Sequence, residues 1–115
     1  MPFAKFECMN MDRINQLQQF VSEEPQDPFN FYALALEYLK SEPQKAVDLF
    51  EDLLRNHSDY LPTYYPYAQL LIERKDYESA EKVFQKGIEI AQLKGEIKTQ
   101  HEIQSAYNDW KYEMG

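Results

Sequence analysis

The stretch "FYALALEYLKSEPQKAVDLFEDLLRNHSDY", residues 31–60, can be laid over "YYPYAQLLIERKDYESAEKVFQKGIEIAQL", residues 64–93, with like residues in step. Ala35 falls on Ala68, Ala46 on Ala80 and Phe50 on Phe84, at offsets of 33 or 34. Self-similarity at this period marks a chain built from repeated helix pairs. Small residues at Ala35 and Ala46, and again at Ala68 and Ala80, let two antiparallel helices approach closely, while Phe50 and Phe84 fill the space toward the next helix.

Working outward, capping residues and prolines mark the helix boundaries. Asp27-Pro28 supplies an N-cap followed by a proline suited to the first turn, and Ser41-Glu42-Pro43-Gln44 supplies a second start. Asp76 precedes "YESAEKVF", and Gly95 follows "IEIAQLK" as a stop. The pattern predicts six helices over 11–23, 28–40, 43–56, 62–74, 77–93 and 96–113. Short connections between them favour antiparallel neighbours.

Composition agrees with an all-α fold. The chain of 115 residues has only three Gly and 28% charged residues. It is rich in good helix formers and poor in β-branched residues. Its longest apolar stretch, "YALALEYL" at 32–39, is far short of the roughly 20 residues of a membrane span. The opening "MPFAKFECMNM" lacks the continuous apolar run of a signal peptide, which points to the cytoplasm. Cys8 is the only cysteine, so neither an internal disulfide nor a thiolate-built metal site is expected. A formal net charge of −8 repels phosphate backbones and anionic lipid surfaces, arguing against nucleic acid and membranes as partners.

The repeated residues resemble the tetratricopeptide repeat, in a small protein of the bacterial type. That repeat places an aromatic, a Leu with a small residue, and a Tyr on its first helix, then an Ala and an aromatic on its second. Phe31, Leu34, Ala35, Tyr38, Ala46 and Phe50 fit these places in turn, and Tyr64, Tyr67, Ala68, Leu71, Ala80 and Phe84 fit them again with Tyr and Leu exchanged. Gly87 matches a further small residue of the pattern, where the first repeat carries Leu53 and is expected to pack more loosely. The closing proline is absent at Ser58, although Pro62 follows.

The same register puts Leu17, Phe20, Val21 and Pro25 in the second half of a truncated repeat, and "EIKTQHEIQSAYNDWKYEM" reads as a capping helix with Ile103, Tyr107, Trp110 and Met114 on one face. The resemblance implies a right-handed α-solenoid of antiparallel helix pairs. Its organisation is a flexible tail over 1–10, then a single domain over 11–115: half repeat 11–27, repeats 28–60 and 61–94, and capping helix 96–113.

No catalytic constellation emerges, and neither an enzymatic activity nor a cofactor is expected. Consecutive side chains of His57-Ser58-Asp59 cannot align as nucleophile, base and orienter, so they read as a helix-end loop. His101-Glu102 begins like a zinc motif, but position 105 is Ser. Glu23-Glu24 is an ordinary pairing in so acidic a chain.

The densest aromatic stretch, "YLPTYYPY" at 60–67, divides its tyrosines between two jobs. Tyr64 and Tyr67 belong to the repeat core, whereas Tyr65 turns to the inner surface together with Gln69 and Ile72. Phe29, Tyr32 and Leu36 are their counterparts in the first repeat. Pro66, having no N–H, is expected to leave a carbonyl near residue 62 free. Family resemblance implies that these six residues line a concave groove for an extended or helical peptide; the groove's own side chains favour an apolar or aromatic segment, and the acidic field favours basic flanks. The Lys and Asn that hold a terminal carboxylate in chaperone-binding members have no match at Tyr32 and Leu36. Two other arrangements stay open: the last helix closes the groove with Trp110, or the groove or the last helix is buried in a homodimer.

Overall fold

The computed structural model describes residues 11–115 in full and, of residues 2–10, only the helical course of the backbone; the tail expected over 1–10 lies outside the fully described residues. The helices are α1 (Pro2–Glu23), α2 (Pro28–Tyr38), α3 (Pro43–Asn56), α4 (Tyr64–Glu73), α5 (Tyr77–Lys94) and α6 (Ile97–Met114). A short 3₁₀ turn, Leu61–Thr63, leads into α4. Among the described residues there is no strand, and no helix is long and apolar enough to cross a membrane. The fold is an all-α helical repeat of antiparallel pairs. The chain divides into two compact units, Met1–Asn56 and His57–Gly115.

In the first unit α2 packs on both α1 and α3. Its start is local chemistry: the Asp27 carboxylate accepts from the Phe29 N–H at 3.0 Å, and Pro28 opens the helix where its missing N–H has no intrahelical acceptor to lose. Ala35 and Ala46 are both fully buried, as a close helix crossing requires. Ile14, Leu17, Leu34, Val47 and Phe50 complete the core, and Leu53 is buried with them. Phe20 is largely exposed, so the buried face of α1 runs through Ile14 and Leu17 instead. Two polar contacts tie α1 to α2. The Arg13 guanidinium donates to the nearly buried Glu37 carboxylate at 3.0 Å, and the Gln18 amide donates to the Tyr38 hydroxyl at 2.7 Å.

In the second unit α5 is the central helix, packed on α4 and on α6. The prolines of "YLPTYYPY" now have their places. Pro62 lies in the 3₁₀ turn, and Pro66 is the third residue of α4, within the first turn where N–H groups have no intrahelical partner. Tyr67, Ala68, Leu71, Ala80, Val83, Phe84 and Ala91 form the α4–α5 core. Asp76 caps α5 by accepting from the Ser79 N–H at 3.3 Å, and Gly95 ends it with φ 71°.

Candidate functional site

Among the described residues, those expected to line the groove fall on one face of α2 in the first unit and one face of α4 in the second. On α2, Phe29, Tyr32 and Leu36 follow one another at helical spacing, Phe29 57% exposed and the other two half-buried. Burial raises the Tyr32 phenol above its ordinary pKa of 10.0, so the hydroxyl keeps its proton.

The four tyrosines of "YLPTYYPY" are sharply divided by α4. Tyr64 and Tyr67 are buried, Tyr60 is half-buried, and Tyr65 is 50% exposed. The Tyr64 hydroxyl donates to the Ser58 carbonyl. Its phenol is pushed up to about 12, first by burial and then by the carboxylates of Asp59 and Glu89. The Lys94 ammonium donates to the Asp59 carbonyl at 2.9 Å. Through their carbonyls, Ser58 and Asp59 thus hold the 57–60 loop onto α4 and α5. Gln69 and Ile72, half-buried, continue the Tyr65 face along α4.

Where Trp110 lies decides whether α6 covers Tyr65. Its ring packs on Phe84 at 5.7 Å between centroids and near Tyr77 at 6.2 Å, while Tyr107 stacks on Phe84 at 5.4 Å. The Tyr107 hydroxyl donates to Glu81 at 3.1 Å and accepts from the Gln85 amide at 3.2 Å. The aromatic face of α6 is therefore spent on α5, and Tyr65 stays open in this unit. Met114, expected on that face, is largely exposed.

Two cavities flank Tyr65. One, open and of about 850 Å³, is lined by Tyr65 with Lys98, His101, Glu102, Ser105 and Asp109 among others. A narrower one of about 400 Å³ is lined by Leu61, Pro62, Tyr65, Thr99, Glu102 and Ile103. Sequence reasoning gave α6 a capping role, with closure of the groove by Trp110 or burial in a homodimer as alternatives, and did not place these residues beside Tyr65. A signal was present. Ile103 and Tyr107 stand 36 residues after Tyr67 and Leu71, so that His101 and Ser105 stand 36 after Tyr65 and Gln69. The first pair of matches is buried and the second lies on the cavity side, as in a further repeat whose first helix is α6.

Among the described residues, no three His, Cys, Asp or Glu side chains are grouped to hold a metal ion. An array of short antiparallel helix pairs, with its ordered surface spent on exposed aromatic and polar side chains, defines a helical-repeat protein of the class that mediates protein–protein contact. A tetratricopeptide repeat family model matches residues 37–99, and the chain belongs to the tetratricopeptide repeat family. A tetratricopeptide repeat domain protein from Salinibacter ruber, solved in solution, is 37% identical with a TM-score of 0.69 over 74% of this chain and 87% of its own. A crystal structure of a tetratricopeptide repeat domain protein from the same organism is also 37% identical, with a TM-score of 0.66 over 72% of this chain and 93% of its own. MamA, at 18% identity and a TM-score of 0.64 over 86% of this chain and 65% of its own, shares the fold. The comparison with curated proteins finds no match. Repeats of this family are in general interaction modules without catalysis.

Proposed function

We propose that the protein is a non-catalytic scaffold that takes up a peptide segment of another protein, working in the cytoplasm without a cofactor. The observation that carries this reading is Tyr65, an aromatic ring half exposed between two cavities while the tyrosines on either side of it in α4 are buried. Rigid aromatic side chains beside concavities are the usual anchors of a partner, because they bury much area at little entropic cost. Gln69 and Ile72 extend that face, and Phe29, Tyr32 and Leu36 offer a face of their own on α2. The units of this reading are a half repeat over 11–27, repeats over 28–60 and 61–94, and a last helix over 96–113.

A net charge of −8 favours a partner segment with basic flanks and disfavours nucleic acid and anionic membranes. A homodimer through the last helix is the competing arrangement, since α6 exposes Ile97, Tyr112 and Met114 beside Lys98, Glu102, Ser105, Asn108 and Asp109. The test is a pull-down from the source cell lysate with the wild type and with Tyr65→Ser as baits, paired with sedimentation across concentration. Specific partners lost with Tyr65→Ser, on a monomeric bait, support the reading. Partners retained in full, or a dimer that Tyr65→Ser dissociates, overturn it.

A further inference from the structure

We infer that the surface around Tyr65 selects a segment in which a bulky apolar side chain stands within a few residues of a Lys or Arg; the inference rests on the peptide-binding reading above and specifies its ligand. The two cavities beside Tyr65 differ in chemistry. The narrower has Leu61, Pro62 and Ile103 in its walls, a lining that rewards an apolar side chain. The wider holds the carboxylates of Glu102 and Asp109, and Glu102 lines both.

These two carboxylates differ from the acidic residues that ion pairs already occupy. Glu37, Glu42, Asp52 and Glu78 each meet a Lys or Arg within 4.0 Å. Among the described residues neither Glu102 nor Asp109 has such a partner, although Lys98 lies one turn before Glu102 on α6. Lys98 against these two carboxylate side chains leaves an excess of one acidic group in the cavity wall, set in a chain of formal net charge −8. An ammonium or guanidinium entering there meets a carboxylate and the exposed phenol ring of Tyr65, whose face attracts cations. An acidic segment meets repulsion instead, so the site discriminates by charge as well as by shape.

The experiment is a selection of random 12-residue displayed peptides on the full chain, followed by fluorescence anisotropy with the best synthetic peptide. The expected consensus is an apolar residue with Arg or Lys within three positions. Replacing that basic residue by Gln, or Glu102 and Asp109 by Gln and Asn, should each weaken binding about fivefold. The two changes together should weaken it hardly further, since they remove one interaction. All variants should melt with the wild type. A consensus without a basic residue, or with an acidic one, overturns the charge selection and leaves the interaction module standing. Peptides indifferent to Tyr65→Ser overturn this site alone, and a selection that enriches nothing overturns both readings.

Discussion

A methyl group placed on Gly87 of α5 would lie 2.8 Å from Cγ and 2.9 Å from Cβ of Tyr64 on α4. Those atoms are the root of a fully buried ring, so they cannot swing aside as the end of a flexible chain can. The absence of a side chain at Gly87 is what lets the two helices close over Tyr64.

Gly87→Ala tests that contact, because two effects oppose each other. Alanine is the better helix former by about 1 kcal/mol, yet the overpacked methyl should cost about 1 to 3 kcal/mol. The expected outcome is a lower melting temperature. A rise would mean that helix propensity wins and that Tyr64 yields easily.

Tyr64 and Tyr65 are adjacent in sequence and should respond oppositely to truncation. Tyr64→Ala removes a buried ring and should cost about 3 to 5 kcal/mol, which so small a unit barely tolerates. Tyr65→Ser should leave stability within about 1 kcal/mol, since the ring is half in water already. Paired thermal melts decide it; equal losses would make the Tyr65 face part of the core.

Two helix ends share one hydrogen-bond pattern with different residues at the strained place. After α4, Lys75 and Asp76 donate their N–H groups to the carbonyls of Ile72 and Leu71, both at 2.9 Å, with Lys75 at φ 63°. After α5, Gly95 and Glu96 donate to Gln92 and Ala91 at 3.1 and 2.9 Å, with Gly95 at φ 71°. Left-handed backbone costs a residue bearing a Cβ about 1 kcal/mol or more, and glycine almost nothing. Lys75→Gly should therefore raise stability by about 0.5 to 1 kcal/mol, and Gly95→Ala should lower it by about 1 kcal/mol. Chemical denaturation midpoints of the two variants should move in opposite directions.

Alkaline pH should weaken the fold through Tyr64. The unfolded chain releases this phenolic proton near the ordinary 10.0, and the folded chain holds it to about 12. Between those values the unfolded state binds fewer protons, so stability falls as pH rises. The contribution is complete below pH 10 and is lost on the way to 12. Tyr32, raised in the same direction by burial, adds to the slope. Urea midpoints followed from about pH 8 upward should decline more steeply for the wild type than for Tyr64→Phe; parallel declines would remove Tyr64 as the cause.

Much of the fold was legible because its cues are local. The carboxylates of Asp27 and Asp76 reach N–H groups two and three residues away, and Gly95 ends a helix through its own backbone freedom. Helical spacing likewise told which side of α4 holds Tyr64 and Tyr67 and which holds Tyr65. The left-handed Lys75 carried no such cue, since lysine is a residue that this conformation penalises.

By itself, then, the sequence determined the period, the helices and the division of each helix into a core side and an open side, all of which follow from residues a few positions apart. Tertiary structure alone decided what each side meets. Trp110 had apolar surface to place, and helical geometry on α6 left open both a capping role and closure over the groove beside Tyr65, without naming Phe84 as its neighbour. The capping role prevails, with Phe84, Tyr107 and Tyr77 gathered about Trp110. Such a choice depends on the summed shape of side chains more than 20 residues apart, which close-packing resolves and periodicity does not. Its consequence is that α6 turns its polar residues, Glu102 and Asp109 among them, toward the cavity beside Tyr65.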